Sequence, residues 1–244
     1  MHFERMAAQY AGARPPYPSR LYDLLAEQGV IGPGTRVLEV GAGSGLATRE
    51  LVRAGSEVVA IEPGRELARL LGREVPEASV LLTGLEDATL PDGGFSAAVA
   101  ATSMHWVDLS IGLPRLHAAL RPGGRLAVWR HLFGDDSVDT EFRRRVAHVV
   151  AQRPREPGAP RVEARPTMDE LAAGGWFEPE RTEHWRWSID LDTDHVRRLF
   201  RTFSDWSEPE VDAVARAADE LGGVVTEHYQ STLHLLTRSA SPRD

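Results

Sequence analysis

Glu39, Gly41, Gly43 and Gly45 stand at alternate positions after an apolar run in the stretch RVLEVGAGSG, residues 36–45. Glycine lacks Cβ and takes positive φ freely, so such a turn lets main-chain N–H groups approach a ligand closely. A dinucleotide fingerprint needs G-x-G-x-x-G, and the third required position here is Leu46. The phosphate loop is excluded as well, because no Gly-Lys-Ser/Thr follows. Further on, EVVAIEPG (57–64) sets Glu62 at the end of a second apolar run, where an acceptor-only carboxylate suits two ribose hydroxyls. His105 in ATSMHWVD and His131 in AVWRHLF follow later runs. A neutral imidazole at either place could take a proton near pH 7.

Such groups need strands that end together. Between Thr35 and Arg130 short β-branched runs alternate with helical stretches, the pattern of βαβ units around a parallel sheet. The pattern predicts strands at 36–40, 57–62, 79–83, 95–102 and 124–130, with helices at 46–54, 64–74 and 110–120. RPGG (121–124) reads as a helix stop and turn. Beyond His131 the spacing predicts an amphipathic helix over 140–152, then a Pro/Arg-rich connector. TMDELAAGG (167–175) has a Thr cap with Glu three residues on, a capping box. Late strands are expected at 182–190 and 227–238, separated by helices near 194–203 and 208–221.

The chain has 244 residues, enough for a substantial core, and no cysteine, which removes disulfides, thiolate nucleophiles and Cys-ligated zinc. With 36 acidic against 28 basic residues its net charge is −8, a field that repels nucleic acid. Every basic residue is Arg, so lysine chemistry is excluded too. No segment approaches the roughly 20 apolar residues of a membrane span, and no secretory leader is legible. Cytoplasm is the default location. His184, His195, His228 and His234 show no metal-ligand spacing, so no metal is expected. Trp185 and Trp187 share one strand face and read as packing, and Arg143–Arg145 as a solvated face.

E-x-G-x-G-x-G after the first strand resembles motif I of class I S-adenosylmethionine-dependent methyltransferases. TGLEDATLPDGG, ATSMHWVD and ALRPGGRLAVWR resemble later segments of that family, in the same order. FERMAAQYAGARPPYPSRLYDLL resembles the start of its small-molecule subgroup, which includes trans-aconitate methyltransferase-like proteins. The resemblance implies an α/β fold: a Rossmann-like seven-stranded sheet with an antiparallel last strand between strands five and six. Helices lie on both faces, with a small C-terminal helical cap.

It implies a helical lid (1–34), a cofactor-binding core (35–131), a substrate-side cap with strand six (132–223), and a final strand and tail (224–244). Cofactor residues would be Tyr10 and Arg14 at the methionyl end, Glu39, Gly41, Ala42, Gly43 and Gly45 in the loop, and Glu62 with Pro63 at the ribose. Leu85 and Glu86 would meet adenine, although Gly84 stands where an Asp is common, and Ala101 and Ser103 complete the set. His131, and after it His105, are the candidate bases. The implied reaction moves a methyl group from S-adenosylmethionine, leaving S-adenosylhomocysteine, to a small organic acceptor in specialised metabolism, most simply at a hydroxyl or carboxylate oxygen. The expected partner is a small molecule, with no nucleic acid or membrane, and the chain a monomer or homodimer. Two readings stay open: a protein that binds the sulfonium without methylating, or uses it to aid a rearrangement or cyclisation, and an NAD(P)-dependent oxidoreductase, which Leu46 opposes.

Overall fold

VLEV and VVAI carry apolar side chains on both pleat faces, which only a strand covered on both sides can accommodate. They form β1 (Arg36–Val40) and β2 (Glu57–Ile61), buried along nearly their whole lengths. A computed structural model describes residues 12–135, 137–153, 166–203 and 205–240. The chain divides into two compact units, one holding residues 16–131, 164–184 and 231–244, the other residues 1–15, 132–163 and 185–230.

The first is the sheet unit. After α1 (Ser19–Glu27) and β1 come α2 (Thr48–Arg53), β2, α3 (Arg65–Glu74), β3 (Ser79–Leu81) and β4 (Phe95–Ala101). A 3-10 turn (Met104–Trp106), α4 (Leu109–Ala119), β5 (Leu120–Phe133) and α6 (Met168–Ala172) follow, α5 lying in the other unit. β1, β2, β3, β4 and β5 pair in parallel. Leu38, Ile61, Phe95, Leu113, Leu116, Leu126, Val128 and Phe177 form its core.

The second unit is mainly helical: α5 (Glu141–Ala151), α7 (Thr193–Arg201) and α8 (Glu208–Glu220). Phe142, Val146, Val196, Phe200, Val211 and Val214 pack together as its core. β6 (Phe177–Asp192) and β7 (Val224–Arg238) complete a seven-stranded sheet in the order β3-β2-β1-β4-β5-β7-β6. β7 therefore lies between β5 and β6, the expected topology. Its antiparallel sense shows in side-chain pairs whose numbers rise on one strand as they fall on the next. Thr182 meets His234 at 2.9 Å, His184 meets Thr232 at 3.0 Å, and Thr226 meets Asp190 at 2.6 Å.

Two expected boundaries change. RPGG lies inside β5: Phe95 pairs with Leu120 and Ala97 with Arg125, so residues 121–124 form a bulge. β6 begins at Phe177 rather than near 182, because an edge strand exposes alternate polar side chains and its FEPER start carries no apolar signal. The capping box of α6 is present: Glu170 N–H donates to Thr167 Oγ1 at 3.3 Å, and Thr167 N–H to Glu170 Oε2 at 2.7 Å. No helix among the described residues is long and apolar enough to cross a membrane.

Candidate functional site

The three loop glycines do different things. A Cβ on Gly41 would lie 2.6 Å from Ser103 Cβ, and one on Gly45 would lie 2.6 Å from Leu71 Cδ1, so both are closed against the protein. Gly43, at φ +59°, has no described residue within 4 Å of its Cβ direction. Two glycines thus serve close packing and the middle one opens outward. The loop is fixed by Gly41 N–H and Ala42 N–H donating to Ile61 O at 2.8 and 3.0 Å, and Ser103 Oγ–H donates to Val40 O.

Glu62 joins that loop to the end of β2. Its Oε2 accepts from Gly43 N–H at 2.7 Å and its Oε1 from Gly64 N–H at 2.8 Å, and the side chain is buried. Backbone donors on both carboxylate oxygens orient Glu62 toward the loop. Pro63 follows directly in the same turn. Glu39 lies beneath the loop, buried, and neither of its oxygens has a hydrogen-bond partner. Burial raises its carboxyl to about 8, with the Thr48 hydroxyl beside it opposing that rise and Glu62 adding to it. Tyr22, whose hydroxyl is also buried and unpartnered, is pushed up by burial and by neighbours that include Glu39.

At the next strand end, Leu85 is buried and its carbonyl accepts from Arg115 Nε at 2.9 Å. Glu86 Oε1 accepts from Asp108 N–H at 3.0 Å, which ties the segment after β3 to the start of α4. Ala101 ends β4, and Thr102 after it has φ +57°, the one non-glycine with positive φ among the described residues. A β-branched residue in that region is strained by ~1–3 kcal/mol, and such strain gathers at functional sites. Thr102 is held there by its N–H donating to Trp129 O at 2.8 Å and by the Tyr17 hydroxyl 3.0 Å from its Oγ1.

Beside it a small cavity opens at the carboxyl ends of β4 and β5, lined by Thr102, Ser103, His105, Arg130, Thr232 and His234 among others. His105 is exposed at the cavity mouth, and partial desolvation there, with Arg130 nearby, lowers its imidazole to about 4. His131 is placed differently. Its Nδ1 is 2.6 Å from Ser231 Oγ, and its ring lies 4.3 Å from that of Tyr17. The two candidate bases thus have distinct surroundings, one at a cavity and one in a packed side-chain cluster.

Tyr10 lies outside the described residues. Arg14 belongs to the helical unit, where Nη2 donates to Thr202 O at 3.3 Å and the guanidinium sits 4.6 Å over the Phe203 ring. In the same unit Arg144 and Arg145 make exposed ion pairs, while Arg143 stacks 4.7 Å over Phe133 and comes within 3.5 Å of Glu227. Glu227 is fully buried with Oε2 unpartnered, and burial raises it to about 7 against the pull of Arg143 and of His228 N–H. Trp187 stacks on Tyr229 at 4.6 Å. Arg130, Thr102 and Glu227 were not among the residues singled out from sequence, and His234 was named there only as lacking metal-ligand spacing. Thr102 and Arg130 had a signal, since each closes a strand that the pattern predicts.

Residues 38–128 match a methyltransferase domain family. An uncharacterized methyltransferase of Mycobacterium tuberculosis is 36% identical over 130 residues, 53% of this chain and 52% of that protein. The match thus spans about half the length of the curated relative. Demethylmenaquinone methyltransferase of Corynebacterium urealyticum is 30% identical over 162 residues, 60% of this chain and 69% of its own. A solved structure described as a candidate type II methyltransferase from Anaeromyxobacter dehalogenans superposes with a TM-score of 0.63 at 21% identity, covering 94% of this chain and 99% of that one.

Proposed function

Because the chain belongs to the class I S-adenosylmethionine-dependent methyltransferases, we propose that it transfers a methyl group from S-adenosylmethionine to an oxygen of a small organic acceptor. The observation that carries the cofactor assignment is Gly43: the one loop glycine with none of the described residues against its Cβ direction has its N–H bonded to the buried carboxylate of Glu62. That cradle fits a ribose over the loop, with Glu62 accepting from its hydroxyls. Gly41, Ala42 and Gly45 shape the loop, Pro63 sets the turn after Glu62, and Leu85 and Glu86 flank the adenine. Ala101 and Ser103 stand toward the methionyl end, where Tyr10 and Arg14 are the further candidates. Glu39 acts from beneath the loop.

The cofactor supplies an electrophilic methyl on a positively charged sulfur, which departs as the neutral thioether of S-adenosylhomocysteine. The chain's part is to align the acceptor oxygen and receive its proton. A hydroxyl becomes strongly acidic as its oxygen is alkylated, so a weak neutral base suffices. Its cavity position and low basicity favour His105 for that role, neutral at pH 7, with His131 holding the wall through Ser231 and Tyr17.

The test is S-adenosylhomocysteine formation over a panel of hydroxyl and carboxylate acceptors, with calorimetric titration of each cofactor. We expect sulfonium binding and turnover with at least one acceptor. Micromolar dinucleotide binding with none of the sulfonium would overturn the reading. With an acceptor in hand, His105→Ala is expected to cut turnover about a hundredfold and His131→Ala about tenfold or less. The reverse order would return the proton to His131.

A further inference from the structure

We propose that the cavity at the carboxyl ends of β4 and β5 binds an oxyanion, so that the methyl acceptor is an organic anion held by its carboxylate or phosphate group. This rests on the methyltransferase reading and names its substrate class. The lining brings together polar side chains from three strands: Arg130 near the end of β5, Thr232 and His234 within β7, and Thr102 and His105 after β4. No carboxylate stands among the described lining residues.

The wall is built rather than incidental. His234 Nδ1 is engaged by Thr182 Oγ1 at 2.9 Å, which fixes its ring and leaves Nε2 for the cavity, and the ring is buried. Thr232, also buried, is positioned by His184 Nδ1 at 3.0 Å. Arg130 lines the same cavity, close enough to His105 to repel a proton from that imidazole. A half-buried guanidinium with neutral imidazole and hydroxyl donors around it stabilises an incoming anion by charge-assisted hydrogen bonds. A neutral ligand gains little there.

The experiment uses the full chain with ring-labelled histidine, the His105 and His234 signals being assigned from single His→Gln variants. Acetate, inorganic phosphate and the neutral ester methyl acetate are titrated at constant ionic strength by NMR. S-adenosylhomocysteine affinity is measured in parallel by calorimetry. The expected result is saturable movement of both ring signals with acetate or phosphate and none with methyl acetate. The oxyanion that saturates at lower concentration identifies the acceptor's group. Arg130→Gln should raise its dissociation constant tenfold or more, and Arg130→Lys about threefold. If Arg130→Gln loses its cooperative melt, Thr232→Val is read in its place, with a rise of about threefold expected. Equal response to methyl acetate, no saturable response, or unchanged binding in the variants overturns the proposal. Oxyanion binding without S-adenosylhomocysteine binding sinks the methyltransferase reading alone. The opposite pattern sinks only the acceptor class.

Discussion

Glu62 in the sheet unit and Glu227 in the helical unit are both buried carboxylates, and the two regions treat them in opposite ways. Glu62 is met by two backbone N–H groups at 2.7 and 2.8 Å. Glu227 has one guanidinium 3.5 Å away, accepts from His228 N–H at 3.0 Å, and leaves Oε2 with no partner. Main-chain donors meet both oxygens of the first, whereas desolvation dominates the second and lifts it to about 7. A carboxylate that must present lone pairs to a neutral ligand is best held by backbone. One facing a cation can exchange its charge with the medium.

Removing the cation strains that contrast most. Arg143→Met should cost about 3 kcal/mol or more at pH 8, where Glu227 is ionised, and clearly less at pH 5, as read from urea melts. An equal loss at both values would mean that Arg143 acts through its stack on Phe133. Next comes the carboxyl itself. Below pH 4.5 Glu227 is protonated in folded and unfolded chains alike. As pH rises from 4.5 to about 7 the unfolded chain ionises first, so folded stability falls. The contribution is about 3 kcal/mol, and Glu227→Gln should remove that share of the stability difference between pH 4.5 and 8. A slope identical to wild type would leave the fall to Glu39, which shifts in the same direction.

On the other side of the comparison, Glu62→Ala should weaken S-adenosylmethionine binding by about 1–2 kcal/mol, a tenfold or greater rise in dissociation constant by calorimetry. An unchanged constant would move the ribose away from β2. Arg144→Ala, which removes exposed pairs with Asp139 and Glu141, should leave the urea midpoint where it is in the wild type.

The same contrast explains what could be read from the residues in order. Backbone-built features announce themselves locally: Gly41, Gly43 and Gly45 must be glycine where φ is positive or packing is close, and Glu62 follows a buried run of four residues. The βαβ alternation and the capping box of α6 were legible for that reason, while the strand order was implied by the family resemblance. Side-chain assemblies are not. Arg143 and Glu227, or Arg130 and His234, are distant in sequence and of ordinary type, and only folding brings them together. Strand lengths erred where local composition misled: RPGG is a turn by its residues, yet it bulges within β5 because parallel pairing with β4 resumes at Arg125.

β7 lying inside the sheet also orders events in time. β5 ends at Phe133, and the strand that covers its edge does not begin until Val224. A nascent chain therefore carries an uncovered apolar strand edge for much of its synthesis, and pairing across so long a separation is slow. Until β7 emerges, that edge can add a strand from any neighbour, which makes crowded expression the condition in which this chain is most prone to aggregate.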